Sequence, residues 1–84
     1  VVLAPYPNPV SDELNLEWVA AATGDAEIYI FDPTGRKVFE NVFSGLDSGL
    51  NRVTISLGLL NPGMYYAFFV SDGVRKSFPF VIRR

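Results

Sequence analysis

Apolar and polar residues alternate one by one along most of this chain, and no stretch shows a convincing helical period. Leu14, Leu16 and Trp18 share one face of a first strand, with Asn15 and Glu17 on the other. Ala20-Ala21-Ala22 would suit a helix, but Thr23-Gly24-Asp25 breaks it at once. Residues 26–31 read as a second strand, with Ile28 and Ile30 inward and Glu27 and Tyr29 outward. Residues 37–43 return as its hairpin partner, and residues 50–55 alternate again with Val53 and Ile55 inward. Leu57 to Leu60, interrupted by Gly58, reads as a buried crossing segment. Residues 64–70 are nearly continuous apolar sequence, which predicts a central strand covered on both faces. In residues 74–83, Phe78, Phe80 and Ile82 share a face. Pro79 cannot donate to a ladder, so this strand is expected at an edge or with a bulge.

Turn chemistry separates these segments. In Asp32-Pro33-Thr34-Gly35 the Asp can cap its own backbone, Pro presets φ, and Gly accepts a positive φ. Asn61-Pro62-Gly63 and Ser71-Asp72-Gly73 are tight turns as well. Ahead of the first strand stands Tyr6-Pro7-Asn8-Pro9-Val10-Ser11-Asp12. Two prolines around an asparagine exclude a helix interior or central strand and push the preceding residues to extended geometry. The plain reading is a stiff linker and a turn before a strand. Short strands with turns every 8–12 residues or so predict an all-β fold. The architecture expected is a small antiparallel β-sandwich, immunoglobulin-like in general shape, with about seven strands.

The chain has 84 residues, room for one domain, and 49% of them are hydrophobic, too many for a disordered tail. No apolar run approaches the roughly 20 residues of a membrane helix, so no spanning segment is expected. Val1 to Ala4 are too few for a signal peptide, which places any export leader outside this stretch. The net charge of −2 is unevenly spread. Residues 1–51 hold eight acids against Arg36 and Lys37. Residues 52–84 hold Arg52, Arg75, Lys76, Arg83 and Arg84 against Asp72 alone. A pI near 4.8 argues against nucleic-acid binding, while a basic end could still meet an acidic partner.

Reactive chemistry is scarce. With no His and no Cys, imidazole acid–base work and thiolate nucleophiles are excluded, so the chain does not read as an enzyme. Asp12, Asp25, Asp32, Asp47 and Asp72 fall in turns, where capping is the usual reason for an aspartate. No segment resembles a calcium loop or a phosphate-cradling glycine loop, and no cofactor or metal is expected. Trp18, Tyr29, Tyr65 and Tyr66 are candidates for a sugar-binding platform, against ordinary cross-strand packing.

Three signals stand in order: Tyr6-Pro7-Asn8-Pro9 leading into a strand; Ile30-Phe31-Asp32-Pro33-Thr34-Gly35-Arg36-Lys37-Val38; and Leu60-Asn61-Pro62-Gly63-Met64-Tyr65-Tyr66, followed by a basic end. Together, from about Pro5 to Arg84, they resemble the C-terminal sorting domain of proteins exported by the type IX (Por) secretion system of Gram-negative bacteria. The resemblance implies a β-sandwich that serves as an address, carrying an N-terminal cargo through the periplasm and across the outer membrane. Its implied partners are the translocon, outer-membrane shuttle proteins and a surface sortase that removes the domain, leaving cargo at the cell surface or released. It also implies that Gly63, Met64, Tyr65, Arg75, Lys76, Val81, Ile82, Arg83 and Arg84 carry most of the export signal. Cleavage would fall ahead of Pro7, Asn8 and Pro9, making residues 1–5 a linker end and residues 6–84 the sorting domain. Asp32, Gly35 and Arg36 form the turn motif. Two departures are that Arg83-Arg84 stands where lysine is usual, and that Pro79 lies in the terminal strand. The edge near Pro79 could also pair two copies. The alternative reading is a carbohydrate-binding accessory module of a secreted enzyme.

Overall fold

Inward aliphatic and aromatic residues at every second position draw the chain into two packed layers. A computed structural model describes residues 2–84. Six strands form: β1 (Glu13–Ala20), β2 (Gly24–Phe31), β3 (Lys37–Leu46), β4 (Gly49–Ser56), β5 (Gly63–Ser71) and β6 (Val74–Ile82). β1 pairs with β4 in one sheet, and the other has the order β3-β2-β5-β6, every pairing antiparallel. This is the expected all-β sandwich. The chain changes layer after β1, after β3 and after β4, so each of those connections crosses the edge of the core.

Leu14, Leu16 and Trp18 from β1 face Ala26, Ile28 and Ile30 from β2, Ala67 and Phe69 from β5, and Phe80 and Ile82 from β6. All are at most 2% exposed, and Trp18 meets Phe69 across the sandwich at 4.8 Å between ring centroids. Fully burying such side chains contributes about 1.5–3 kcal/mol each, which is how a domain this small holds together without disulfides.

Six strands form where about seven were expected, and the leading segment adds none. Residues 2–10 run beside the sheets but make only isolated bridges, Val2 to Trp18, Tyr6 to Asn15 and Val10 to Ile82. Pro5, Pro7 and Pro9 delete every second donor, so a continuous ladder cannot form. Two further expectations are corrected. β5 is central in its sheet but covered on one face only, because the sandwich has two layers; Met64, Tyr66 and Phe68 remain 41–44% exposed. Of the Leu57–Leu60 segment only Leu57 is buried. A turn closed by Leu60 N–H donating to Leu57 C=O at 2.9 Å throws Leu59 fully into solvent.

Candidate functional site

The three motifs converge at one end of the sandwich. Tyr6 exchanges backbone hydrogen bonds with Asn15 of β1 (3.0 and 2.8 Å), which ties the first proline motif to the small sheet. Four residues later Val10, 1% exposed, donates its N–H to Val81 C=O (2.9 Å) and accepts from Arg83 N–H (2.8 Å). Asn8 Oδ1 accepts the Val81 N–H at 3.0 Å. The segment therefore switches from the edge of β1 to the edge of β6, across Tyr6-Pro7 and Asn8-Pro9 peptide bonds that are both cis. Its plain reading was a linker; here it is hydrogen-bonded along both sheets.

Gly63 pairs with Ile82, and its φ of +149° is a conformation that L side chains rarely adopt. Two residues on, Tyr65 is buried against Phe80 with ring centroids 5.9 Å apart. Its hydroxyl donates back to Asn61 C=O at 2.7 Å, a device like the tyrosine corner of immunoglobulin-type sandwiches. Phe31 pairs with Tyr66, which brings the aspartate turn to the same end. There Asp32 Oδ1 accepts from Thr34 N–H (2.9 Å), Thr34 Oγ1 (2.6 Å) and Arg36 N–H (3.0 Å). Arg36 Nε lies 3.3 Å from Asp32 Oδ2, and Gly35 takes φ +88°. Bonding from Thr34 above all, then the Arg36 and Thr34 N–H groups and the Arg36 charge, hold the Asp32 carboxyl below its usual range against desolvation.

The basic residues divide. Arg84 turns inward: Nη2 donates to Leu57 C=O at 2.7 Å, Nη1 to Leu60 C=O, and Nε lies 3.6 Å from Asp12 Oδ1. Arg83 is exposed, while Val81 is half-buried and Ile82 belongs to the core. Arg75 and Lys76 pair with Val70 and Phe69 beside the β5–β6 turn. At about 3.3 Å per residue they lie about 23–26 Å along β6 from Arg83, so the basic residues do not form one tip.

Pro79 sits on an edge strand, opposite Tyr66. Val81 and Arg83 direct their N–H groups away from β5, to Asn8 and Val10. The two-residue repeat turns the Pro79 nitrogen outward as well, so its absent donor costs β5–β6 no ladder bond. Of the proposed sugar platform, Trp18 and Tyr65 are core residues, at 2% and 7% exposure. Tyr29 and Tyr66 lie on the outer face.

Asp12, read from sequence only as a turn cap, accepts Leu57 N–H at its C=O (2.7 Å) while its carboxylate meets Arg84; sequence reasoning gave no sign of either contact. It also passed over the Tyr6–Glu17–Arg52 cluster. Glu17 and Arg52 are cross-strand partners, and the Tyr6 hydroxyl donates to Glu17 Oε2. Hydrogen bonding with Tyr6 foremost, and the nearby Glu17 carboxylate, push the Arg52 guanidinium higher still. Neither contact has a local signal, since register alone sets them. Among the described residues no group of three or more acidic side chains is placed to hold a metal ion.

No curated protein matches the chain. The family model described as "Secretion system C-terminal sorting domain" matches residues 4–83, the span that contains all three motifs and the strands they join. The chain thus belongs to the C-terminal sorting domains of type IX secretion, and its role is that of a sorting signal directing secretion toward the cell surface or beyond.

Proposed function

We propose that the motif end of the sandwich is the face that the outer-membrane translocon and its shuttle proteins grip, and that a surface sortase afterwards cuts ahead of Pro7. The carrying observation is convergence: Asn8, Val10, Gly63, Tyr65 and residues 80–84, far apart in sequence, are bonded or packed together. Such an arrangement presents a shape that exists only when the domain has folded. The domain works as an address and carries out no catalysis; cargo passes through the periplasm before reaching the surface.

Main-chain strand addition has little room on β6. Asn8 and Val10 occupy the outward groups of Val81 and Arg83, and Pro79 has no N–H. Arg75 and Ser77 are left as outward donors, so partner recognition, and any pairing of two copies there, rests mainly on side chains. Arg83 offers the accessible charge, whereas Arg84 secures the Leu57–Leu60 turn. Arg83→Glu should reduce surface export with an unchanged melting temperature, while Arg84→Ala should lower the melting temperature first.

The reading as a whole is tested by fusing residues 1–84 to a reporter in a strain carrying the secretion system. Surface display should require residues 65–84; undiminished display after their deletion would overturn it. The carbohydrate reading loses the Trp18 platform to burial.

A further inference from the structure

The two sheets differ in width, and the difference leaves room for one more strand. Trp18 of β1 packs on Phe69 of β5, and the leading segment runs on the far side of β1, toward β6. β4, next to β1, therefore lies over β2, next to β5, and β3 overhangs the small sheet. Burial follows the overhang. Phe39, Asn41 and Phe43 share the inward face of β3 with Ile30, Ile28 and Ala26, their partners on β2. The three β2 residues are wholly buried, whereas Phe39 and Phe43 are half-buried and Asn41 is exposed. Beside this overhang β4 is an open edge. Asn15 and Glu17 turn main-chain groups toward the leading segment, so β1 bonds to β4 through Asn51, Val53 and Ile55. The N–H and C=O groups of Leu50, Arg52, Thr54 and Ser56 then point outward, and among the described residues nothing bonds to them. The other edges are guarded. The leading segment covers those of β1 and β6; β3 has a register shift at each end, and its Val42 N–H donates to Asn41 Oδ1 at 2.9 Å. β4 has no proline and no register shift.

We propose that the β4 edge takes up one extended segment of another polypeptide, antiparallel to β4 and apolar at every second position. Its main chain continues the β1–β4 ladder through Leu50, Arg52, Thr54 and Ser56. Its inward side chains cover Phe39 and Phe43 on the overhanging β3 and remove them from water. The unpaired donors and acceptors alternate at strand spacing, a pattern that extended backbone matches and a bilayer or a sugar does not. A second copy offering its own β4 is a poorer occupant. Its β3 would overhang in turn and run into the space that β2 fills, so a lone segment fits where a second sandwich does not. The inference goes beyond the export reading, which concerns the motif end. Its test reads binding alone, so either can fail without the other.

The chain is titrated with a peptide of about nine residues, enough to span Leu50 to Ser56, in which isoleucine alternates with threonine between terminal lysines. The expected result is saturable binding, with slowed hydrogen exchange at the Leu50, Arg52, Thr54 and Ser56 amides and NMR shifts at the Phe39 and Phe43 rings. With isoleucine turned inward, the threonine amides face β4. N-methylation at threonine should therefore weaken binding at least about tenfold, and N-methylation at isoleucine should not. Thr54→Pro deletes one outward donor while sparing the β1–β4 ladder, and should weaken binding similarly. The peptide arms need no altered protein. The proposal is overturned by no binding at about millimolar peptide, by affinity indifferent to threonine N-methylation, or by protection centred on β3 or β6. Protection of Arg52 and Thr54 that rises with the concentration of the chain alone would overturn it in favour of a second copy.

Discussion

Single side chains hold the turns of this domain in place, and Asp32 shows how. One carboxylate oxygen takes three donors, so the turn is bound by charge-assisted bonds rather than by burial. Its pKa is lowered on folding, which means the native state favours the ionised form. The resulting stability is present above the unfolded value of about 3.9 and is lost as pH falls through the lower folded value. Thermal melts should show Asp32→Ala a few degrees below the parent at neutral pH, with the gap narrowing in strong acid. Tyr65 acts through its hydroxyl as well as its ring. Tyr65→Phe keeps the stacking on Phe80 and leaves the Asn61 carbonyl without its donor, at a cost of about 1 kcal/mol. In a domain of this size that lowers the melting temperature by about 4–8 °C, measurable by circular dichroism. The Asp32 turn was legible in sequence because its bonds run between neighbours. The Tyr65 contact was not, since its motif does not say whether the ring points in or out.

At the level of elements, the leading segment acts as a strap. It adds no strand, yet it supplies partners for the outward groups of Val81 and Arg83 at the edge of β6. An uncovered edge is a template for unwanted pairing, and a proline-rich strap covers it without presenting a new edge of its own. Asn8→Ala should cost about 1 kcal/mol and speed hydrogen exchange at the Val81 amide while leaving the Ala67 amide protected. Equal exchange at Val81 in parent and variant would rule out the strap. β5 teaches the opposite lesson about reading elements. Its apolar run signalled a central strand, and it is one, between β2 and β6. The same run misreported coverage, because outward Met64, Tyr66 and Phe68 face solvent and not a third layer.

For the whole molecule, the two layers are joined by few devices outside the core: the strap, and the Arg84 side chain that reaches Leu57, Leu60 and Asp12. Deleting residues 2–10 should remove about 1.5–3 kcal/mol through loss of Val10 burial alone. It should also expose the β6 edge, so that sedimentation at rising concentration detects more association than the parent shows. The sequence by itself determined the strands, their facing residues, the turns and the family, because alternation and turn chemistry are local and each motif is contiguous. Tertiary structure alone decided which motifs meet and that Arg84 turns inward while Arg83 does not. It also decided that Trp18 lies in the core and that the outer edge of β4 stays unpaired. Those outcomes depend on register and on which layer covers which, and such relations between distant residues leave no mark on either one's neighbours in the chain.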